Sequence, residues 1–168
     1  MSIRPILLYP HPLLKEPTPK VVDFGPALQQ GVQDLLDTMV AGPGSVGVAA
    51  PQIGLSLRLC VVDVSKHRQG KENNHGRLVI INPEILTQDG QETMREGCMS
   101  VPDYTGDVIR PNRIILRFLD EQGKSSQIEA TGFEAVALQH EIDHLDGILF
   151  LDRVASLKTG LFRRKNYK

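Results

Sequence analysis

The spacing of apolar residues predicts one helix near the start of the chain and two strands after it. Apolar side chains recur every three or four positions over residues 26–41, which indicates an amphipathic helix. Pro26 suits the first turn, because a backbone N–H at that position would have no partner within the helix. Apolar, β-branched runs predict strands over residues 57–64 and 77–82, and Pro83 is expected to end the second.

The chain between residues 97 and 130 divides into a loop and a hairpin. Residues 97–111 are rich in Gly, Pro and Asp, which predicts a loop that contains one short strand. Residues 113–119 and 126–130 have the composition of strands. The turn residues between them predict an antiparallel hairpin.

A second helix is predicted from about Thr131 to Leu145. Thr131 and Glu134 fit a capping box, in which two side chains satisfy free N–H groups of the first turn. Gly147 follows the helix, where glycine commonly ends helices. One early helix, intervening strands and one late helix predict an α+β domain with mostly antiparallel sheet.

Composition narrows the classes of function. The 168 residues show no internal repeat and no linker, so we expect a single catalytic domain over residues 1–168. The 19 basic residues against 20 acidic ones argue against DNA binding through bulk charge. Two cysteines cannot form a disulfide framework, which favours a cytoplasmic protein. The charge-free segment over residues 41–57 contains two prolines and four glycines and cannot cross a membrane.

The strongest chemical signal lies in the second helix. His140 and His144 stand four residues apart, so both imidazoles project from one helix face and can bind one metal ion. Glu141 follows the first histidine, where a carboxylate can exchange protons with a water. A pair of core histidines with ordinary hydrogen bonds is the alternative. We favour a metal site because the pair continues the apolar stripe of a capped helix.

The third ligand is expected upstream of this helix. Phe150 stands where one class of zinc protease carries a third histidine, and no downstream acidic residue lies on a separate helix. The upstream candidates are His11, Cys60, His67, His75 and Cys98. Cys60 lies in an apolar run and is most simply a core residue, and the histidines lie in a polar loop or between prolines. Cys98 is favoured because Gly97 permits close backbone approach, with a buried inert thiol as the alternative.

A third segment, residues 46–52, combines small residues with a polar amide. Small side chains allow backbones to pack closely, and Gln52 supplies a hydrogen-bond donor at the end of the segment. A close-packed turn with an incidental glutamine is the alternative. The segment lacks the spacing of a phosphate-binding loop.

Together these three segments resemble the peptide deformylase family. The matching motifs are SVGVAAPQ at residues 45–52, EGCMS at 96–100 and HEIDHLDG at 140–147, in the family's order and spacing. Ser45 replaces the usual glycine and Met99 the usual leucine, and neither position is a presumed ligand or base. The resemblance implies antiparallel sheets packed around a central metal-binding helix that carries the HExxH motif.

The resemblance also implies a reaction and its participants. Family members remove the N-formyl group from the N-terminal formyl-methionine of new polypeptides and release formate. One divalent metal ion is implied, with Fe(II) as the native ion and Zn(II), Ni(II) or Co(II) as substitutes. The implied partners are nascent formyl-methionyl peptides in the cytoplasm. The basic residues 161–168 would then be a transient contact with the ribosome or a solvated tail.

The site residues are likewise implied motif by motif. The metal ligands would be Cys98, His140 and His144. Glu141 would be the general acid and base, and the Gln52 side chain and the Met99 backbone N–H would form the oxyanion hole. The residues implied to bind the substrate are Val46, Gly47, Gly97, Val136 and Ala137.

Two rival interpretations remain from the residues themselves. A metallopeptidase would share the HExxH motif, but the chain lacks a downstream third ligand for it. A structural metal module would need a fourth soft ligand, for which Cys60 is the apparent candidate.

Overall fold

Two antiparallel sheets and two longer helices make up the part of the chain that the structure describes. The computed structural model describes residues 3–164. The strands are β1 (Gly47–Ala49), β2 (Leu59–Val62), β3 (Leu78–Asp89), β4 (Glu92–Cys98), β5 (Val101–Arg110), β6 (Arg113–Leu119), β7 (Ser125–Thr131) and β8 (Leu161–Arg163). The helices are α1 (Pro26–Ala41), α2 (Gly132–Leu145) and α3 (Phe150–Arg153).

The strands pair with their neighbours in two separate sheets. The order β1-β2-β3-β6-β7 forms a five-stranded sheet, and β4-β5-β8 forms a three-stranded one. All of these pairings are antiparallel. The prediction of mixed helices and antiparallel sheet is therefore confirmed. Within residues 3–164, no helix is long and apolar enough to span a membrane.

The five-stranded sheet is covered by a helix on each face. In β2 every residue is buried: Cys60 and Val62 belong to the core on the α2 side, and Leu59 and Val61 to the core on the α1 side. This double burial explains the continuous apolar run around residue 60, because both faces of a central strand must then be apolar. Cys60 is accordingly a core residue, as its sequence context predicts.

The segment predicted as a loop over residues 97–111 is mostly strand, so that prediction is wrong. β4 and β5 form a hairpin in which Cys98 pairs with Val101 across a tight turn. The strand was missed because Gly, Pro and Asp are poor local strand formers. Pairing with β4 on one side and β8 on the other overrides that local preference.

Pro83 does not end β3, contrary to the prediction. The register between β3 and β6 shifts between Ile81 and Glu84, so the proline lies where the ladder is interrupted. Its missing N–H therefore costs no strand pairing. β3 continues for six residues beyond Pro83, to Asp89.

The predicted capping box at the start of α2 is also not formed. The hydroxyl of Thr131 accepts a hydrogen bond from Asn73 at 2.6 Å and does not cap the helix. The Glu134 carboxylate instead accepts from the backbone N–H of His75 at 2.7 Å and contacts its ring Nδ1 at 2.5 Å. Both side chains are used to fasten a distant loop to the helix, which sequence spacing could not indicate.

Asn82 connects the N-terminal segment to the five-stranded sheet. Its backbone has φ +50°, a left-handed conformation that few residues other than glycine adopt. Its side-chain Oδ1 accepts from the Val21 N–H and its Nδ2 donates to the Val21 carbonyl, both at 2.9 Å. The amide thus pairs with both backbone polar groups of one buried residue.

We expect Asn82→Ala to lower the free energy of unfolding by about 1–3 kcal/mol, because it removes two hydrogen bonds and adds strain at positive φ. Asn82→Gly should relieve the strain but not restore the hydrogen bonds, so its stability should fall between that of the unaltered protein and that of Asn82→Ala. Urea denaturation followed by circular dichroism measures the difference. Gln88→Ala, at an exposed position of the same strand, is the control, and equal stability of Asn82→Ala and this control would contradict the prediction.

Candidate metal centre

Three candidate ligands from two elements converge in the interior. Cys98 ends β4, and His140 and His144 lie one turn apart on α2. Their ligand atoms all lie within 4.8 Å of one another, and the Cys98 Sγ is 3.4 Å from the His144 Nε2. All three residues are buried. Cys60 is not part of this group of ligand atoms.

The spacing and chemistry of these atoms fit one divalent ion. Bond lengths of about 2.3 Å to sulfur and 2.0–2.1 Å to nitrogen place tetrahedral S and N ligands about 3.6 Å apart. The observed 3.4 Å between Cys98 Sγ and His144 Nε2 is close to that separation. A thiolate with two imidazoles suits Fe(II), Zn(II), Co(II) or Ni(II) and leaves a position open for water or substrate.

The surroundings of Cys98 favour its thiolate. Burial by itself would raise the pKa of the thiol, but the charge of His144 and a hydrogen bond from His140 lower that pKa well below its ordinary value. The thiolate is the form that binds metals. The backbone N–H of Ser100 and the side-chain Nε2 of Gln52 also point at the sulfur, each at 3.4 Å.

A buried carboxylate orients His140. The Nδ1 of His140 lies 2.8 Å from the Oε1 of Glu96. Because a carboxylate accepts, the imidazole carries its proton on Nδ1 and turns the lone pair of Nε2 toward the other ligands. Burial would raise the pKa of Glu96, but hydrogen bonds from Arg110 and His140 lower it to about 2. Glu96 is therefore ionised at any pH at which the fold is expected to persist.

Arg110 continues this network behind the ligands. Its Nε and Nη2 donate to the two carboxylate oxygens of Glu96 at 2.6 and 2.9 Å, and its Nη1 donates to Asp143 at 2.8 Å. Asp143 also accepts two hydrogen bonds from Arg153 of α3. Arg110 was not among the site residues that the sequence indicated. Two acidic residues beside ligands, Glu96 and Asp143, were the available signal, because buried carboxylates require a cationic partner.

Glu141 lies beside the ligand cluster with one oxygen unpaired. Burial raises the pKa of its carboxyl group. Its Oε1 is buried and has no hydrogen-bond partner in the described part of the chain. The other oxygen, Oε2, lies against Gly47, where an added Cβ would come within 2.8 Å of it. Position 47 must therefore be glycine for the carboxylate to occupy this place.

Hydrogen bonds at both ends of its amide fix the side chain of Gln52 beside the cluster. Its Oε1 accepts from the Ala49 N–H at 2.9 Å, and its Nε2 donates to the Ser100 hydroxyl at 3.0 Å. The amide is buried, with its NH₂ end directed toward Cys98. Ser100 was not singled out in the sequence, although it lies two residues after Cys98.

A cavity of about 270 Å³ opens beside the cluster and collects most of the predicted site residues. Its walls include Val46, Gly47, Gln52, Gly97, Cys98, Met99, Val136, Ala137, His140 and Glu141. His144 is not in its lining and is almost completely buried. The arrangement places a candidate base, a hydrogen-bond donor and a metal-binding cluster around one opening.

The cavity also contains residues that the sequence did not indicate. These include Met94, Arg95, Arg164, His67 and Phe133. His67 was expected in an exposed loop, but its ring stacks on Phe133 with centroids 4.4 Å apart. Phe133 lies on the apolar stripe of α2, so its position could have been suspected. Met94 and Arg95 precede Cys98 on β4, whereas His67 and Arg164 come from distant segments.

The chain is similar to known proteins over nearly its whole length. A family model described as polypeptide deformylase matches residues 3–160. Proteins named peptide deformylase from Thermodesulfovibrio yellowstonii and Syntrophobacter fumaroxidans are 44% and 42% identical over 165 residues. These alignments cover 98% of this chain and 97% and 94% of the relatives.

A solved structure shows the same fold. It is a peptide deformylase from Ehrlichia chaffeensis in complex with actinonin, with 36% identity and a TM-score of 0.86. The match covers 94% of this chain and 92% of that one.

The network behind His140 predicts that Glu96→Gln weakens metal binding by about 10–100-fold, because the amide no longer fixes the imidazole or balances Arg110. Competition between the protein and a chelator, followed by metal analysis, measures the affinity for Zn(II) or Co(II). Glu92→Gln, earlier in the same strand, should leave the affinity unchanged. Unaltered affinity in Glu96→Gln would show that the hydrogen bond does not orient the ligand.

Proposed function

The chain belongs to the peptide deformylase family, and we propose that the cavity beside Cys98, His140 and His144 is its catalytic site. The enzyme removes the N-formyl group from formyl-methionine at the start of nascent polypeptides and releases formate. The observation that carries the assignment of the site is the meeting of three candidate ligands, an unpaired buried carboxylate and a rigid amide at one opening.

We infer that Cys98, His140 and His144 hold one divalent ion, with α2 as the central metal-binding helix. Fe(II) is the proposed native ion, and Zn(II), Ni(II) or Co(II) are proposed substitutes. When bound, the ion supplies a Lewis acid that lowers the pKa of water and polarises the formyl carbonyl. The thiolate of Cys98 and the fixed tautomer of His140 support the assignment of these residues as metal ligands.

Glu141 is the proposed general acid and base. Its unpaired Oε1 can accept a proton from the attacking water and return it to the amine that leaves. Burial raises the pKa of Glu141, which brings it toward the range in which a carboxyl group both takes and gives a proton. The contact with Gly47 holds the carboxylate at the wall of the cavity.

Gln52 and the backbone N–H of Met99 are the proposed oxyanion hole. The Gln52 amide is fixed by Ala49 and Ser100, and its other N–H, which lies 3.4 Å from the Cys98 sulfur, would donate to the formyl oxygen instead. Loss of one such donor typically costs about 2.7–4 kcal/mol in transition-state stabilisation. The developing negative charge on the formyl oxygen would be stabilised from this side of the cavity.

The peptide is proposed to bind along β1 with its methionine in the apolar part of the cavity. β1 is an edge strand, so Gly47 can pair with an extended substrate backbone. Val46, Val136 and Ala137 would contact the methionine side chain, and Gly97 would allow the backbone to approach. A single catalytic domain and a cytoplasmic location remain predictions. In the basic segment, residues 165–168 lie outside the described residues, so a contact with the ribosome also remains a prediction.

Glu141→Gln should retain its metal but lose about 10²–10⁴-fold in kcat, because an amide cannot accept the proton from water. Metal analysis and formate release measured on one preparation test both statements. Glu72→Gln, in an exposed loop, is the control for the same change of charge. Substantial turnover by metal-loaded Glu141→Gln would remove this residue from the proposed role.

The methionine pocket predicts a preference for formyl-Met over formyl-Ala tripeptides of about tenfold to several hundredfold in kcat/KM. The reason is the burial of the longer side chain beside Val46, Val136 and Ala137. Acetyl-Met tripeptides should react poorly, because the added methyl group crowds the carbonyl carbon. Equal rates for formyl-Met and formyl-Ala would overturn the pocket assignment, and cleavage of internal bonds without formate would favour a metallopeptidase.

A further inference from the structure

One wall of the catalytic cavity carries a guanidinium group that has no acidic partner among the residues that the structure describes. Arg164 follows β8, and its backbone N–H donates to the Asp103 carbonyl at 2.8 Å. Its side chain crosses the three-stranded sheet and lies on Gly97, where an added Cβ would be 2.5 Å from Nη2. Gly97 directly precedes the candidate ligand Cys98. The guanidinium therefore contacts the residue that directly precedes a candidate metal ligand.

Arg164 differs from most of the described arginines in having no ion pair with a carboxylate in the described part of the chain. Seven arginines, at positions 4, 58, 95, 110, 113, 117 and 153, form ion pairs with carboxylates. Within residues 3–164, no carboxylate pairs with Arg164, and its guanidinium donates to no acceptor. Of the arginines without an ion pair in this range, Arg164 is the one that lines the catalytic cavity.

The neighbouring cation, Arg95, is already engaged. Its Nε pairs with Asp107 at 3.2 Å, and its guanidinium stacks on the ring of Phe162 at 3.6 Å. Phe162 and Arg164 alternate along the chain and so share one face at the end of β8. The stacked pair of Arg95 and Phe162 lies on the same face of the sheet as Arg164. Because Arg95 is engaged in these contacts, Arg164 is the cation that can meet a ligand in the cavity.

We propose that Arg164 binds a carboxylate of the peptide substrate beyond its formyl-methionine, so that acidic formyl-methionyl peptides are preferred. This inference rests on the proposed function, which places the formyl group near Cys98. An extended peptide advances about 3.3 Å per residue, so its second and third residues come within reach of a side chain that lies on Gly97. A guanidinium recognises a carboxylate through two parallel hydrogen bonds.

The test compares matched peptides with the Ni(II)-loaded enzyme at low ionic strength. Formyl-Met peptides carry Glu or Gln at the second or third position, with an amidated end. A further pair of neutral peptides differs only in a free or amidated end, which separates acidic side chains from a terminal carboxylate. We expect the acidic member of at least one pair to show a kcat/KM about three- to tenfold higher, because the ion pair is partly exposed.

Variants at positions 164 and 163 test whether Arg164 causes the preference for acidic peptides. Arg164→Gln should reduce the ratio of acidic to neutral peptides to about one, and Arg164→Lys should keep a smaller preference, because it retains the charge but not the two-pronged geometry. Arg163→Gln removes the same charge from the neighbouring exposed position and should behave like the unaltered enzyme. The preference should also fall in 0.5 M KCl, since salt screens a partly exposed ion pair.

Two results would overturn this inference while leaving the proposed function intact. One is equal kcat/KM for acidic and neutral peptides with the unaltered enzyme. The other is a preference that survives in Arg164→Gln. Failure to release formate from any peptide would instead contradict the proposed function. The salt dependence of the unaltered enzyme needs no variant, so it tests the inference even if a substitution at position 164 disturbs folding.

Discussion

Behind the candidate metal-binding cluster, the almost fully buried guanidinium of Arg110 meets two carboxylates, one on β4 and one on α2. Removing one partner from such a buried group typically costs 3–5 kcal/mol, because a charge is left without compensation. Glu96 passes this constraint to the ring of His140, and Asp143 passes it to α3 through Arg153. The relative positions of the candidate ligands thus depend on one shared cation.

This ionic network explains how a helix that carries so many polar residues can be buried on every side. From Glu134 to Leu145, every residue of α2 is buried, and most of its polar side chains have a specific partner. Within residues 3–164, two atoms of this helix lack a hydrogen-bond partner, Oε1 of Glu141 and Nδ1 of His144. An unpaired buried oxygen is costly, so its position at the cavity is consistent with a role in proton transfer.

The walls of the cavity come from segments that are far apart in the chain and differ in rigidity. Gln52 and Glu141, the proposed oxyanion donor and base, are held by buried contacts that limit their reorganisation. The rim formed by Arg95 and Arg164 is more exposed and rests on the three-stranded sheet. Under the proposed assignment, the groups that carry out the reaction and the groups that select the peptide therefore lie in different parts of the cavity wall.

Local spacing along the chain was enough to predict both long helices, four of the eight strands that the structure describes, and the motifs that hold Cys98, Glu141 and the histidines. It misassigned residues 97–111 and the capping box at Thr131, where pairing with distant segments overrides local preference. Arg110 and Arg164 were beyond its reach. Each is an isolated arginine whose position depends on strands β5 and β8 folding against β4, and only the tertiary structure brings such distant side chains together.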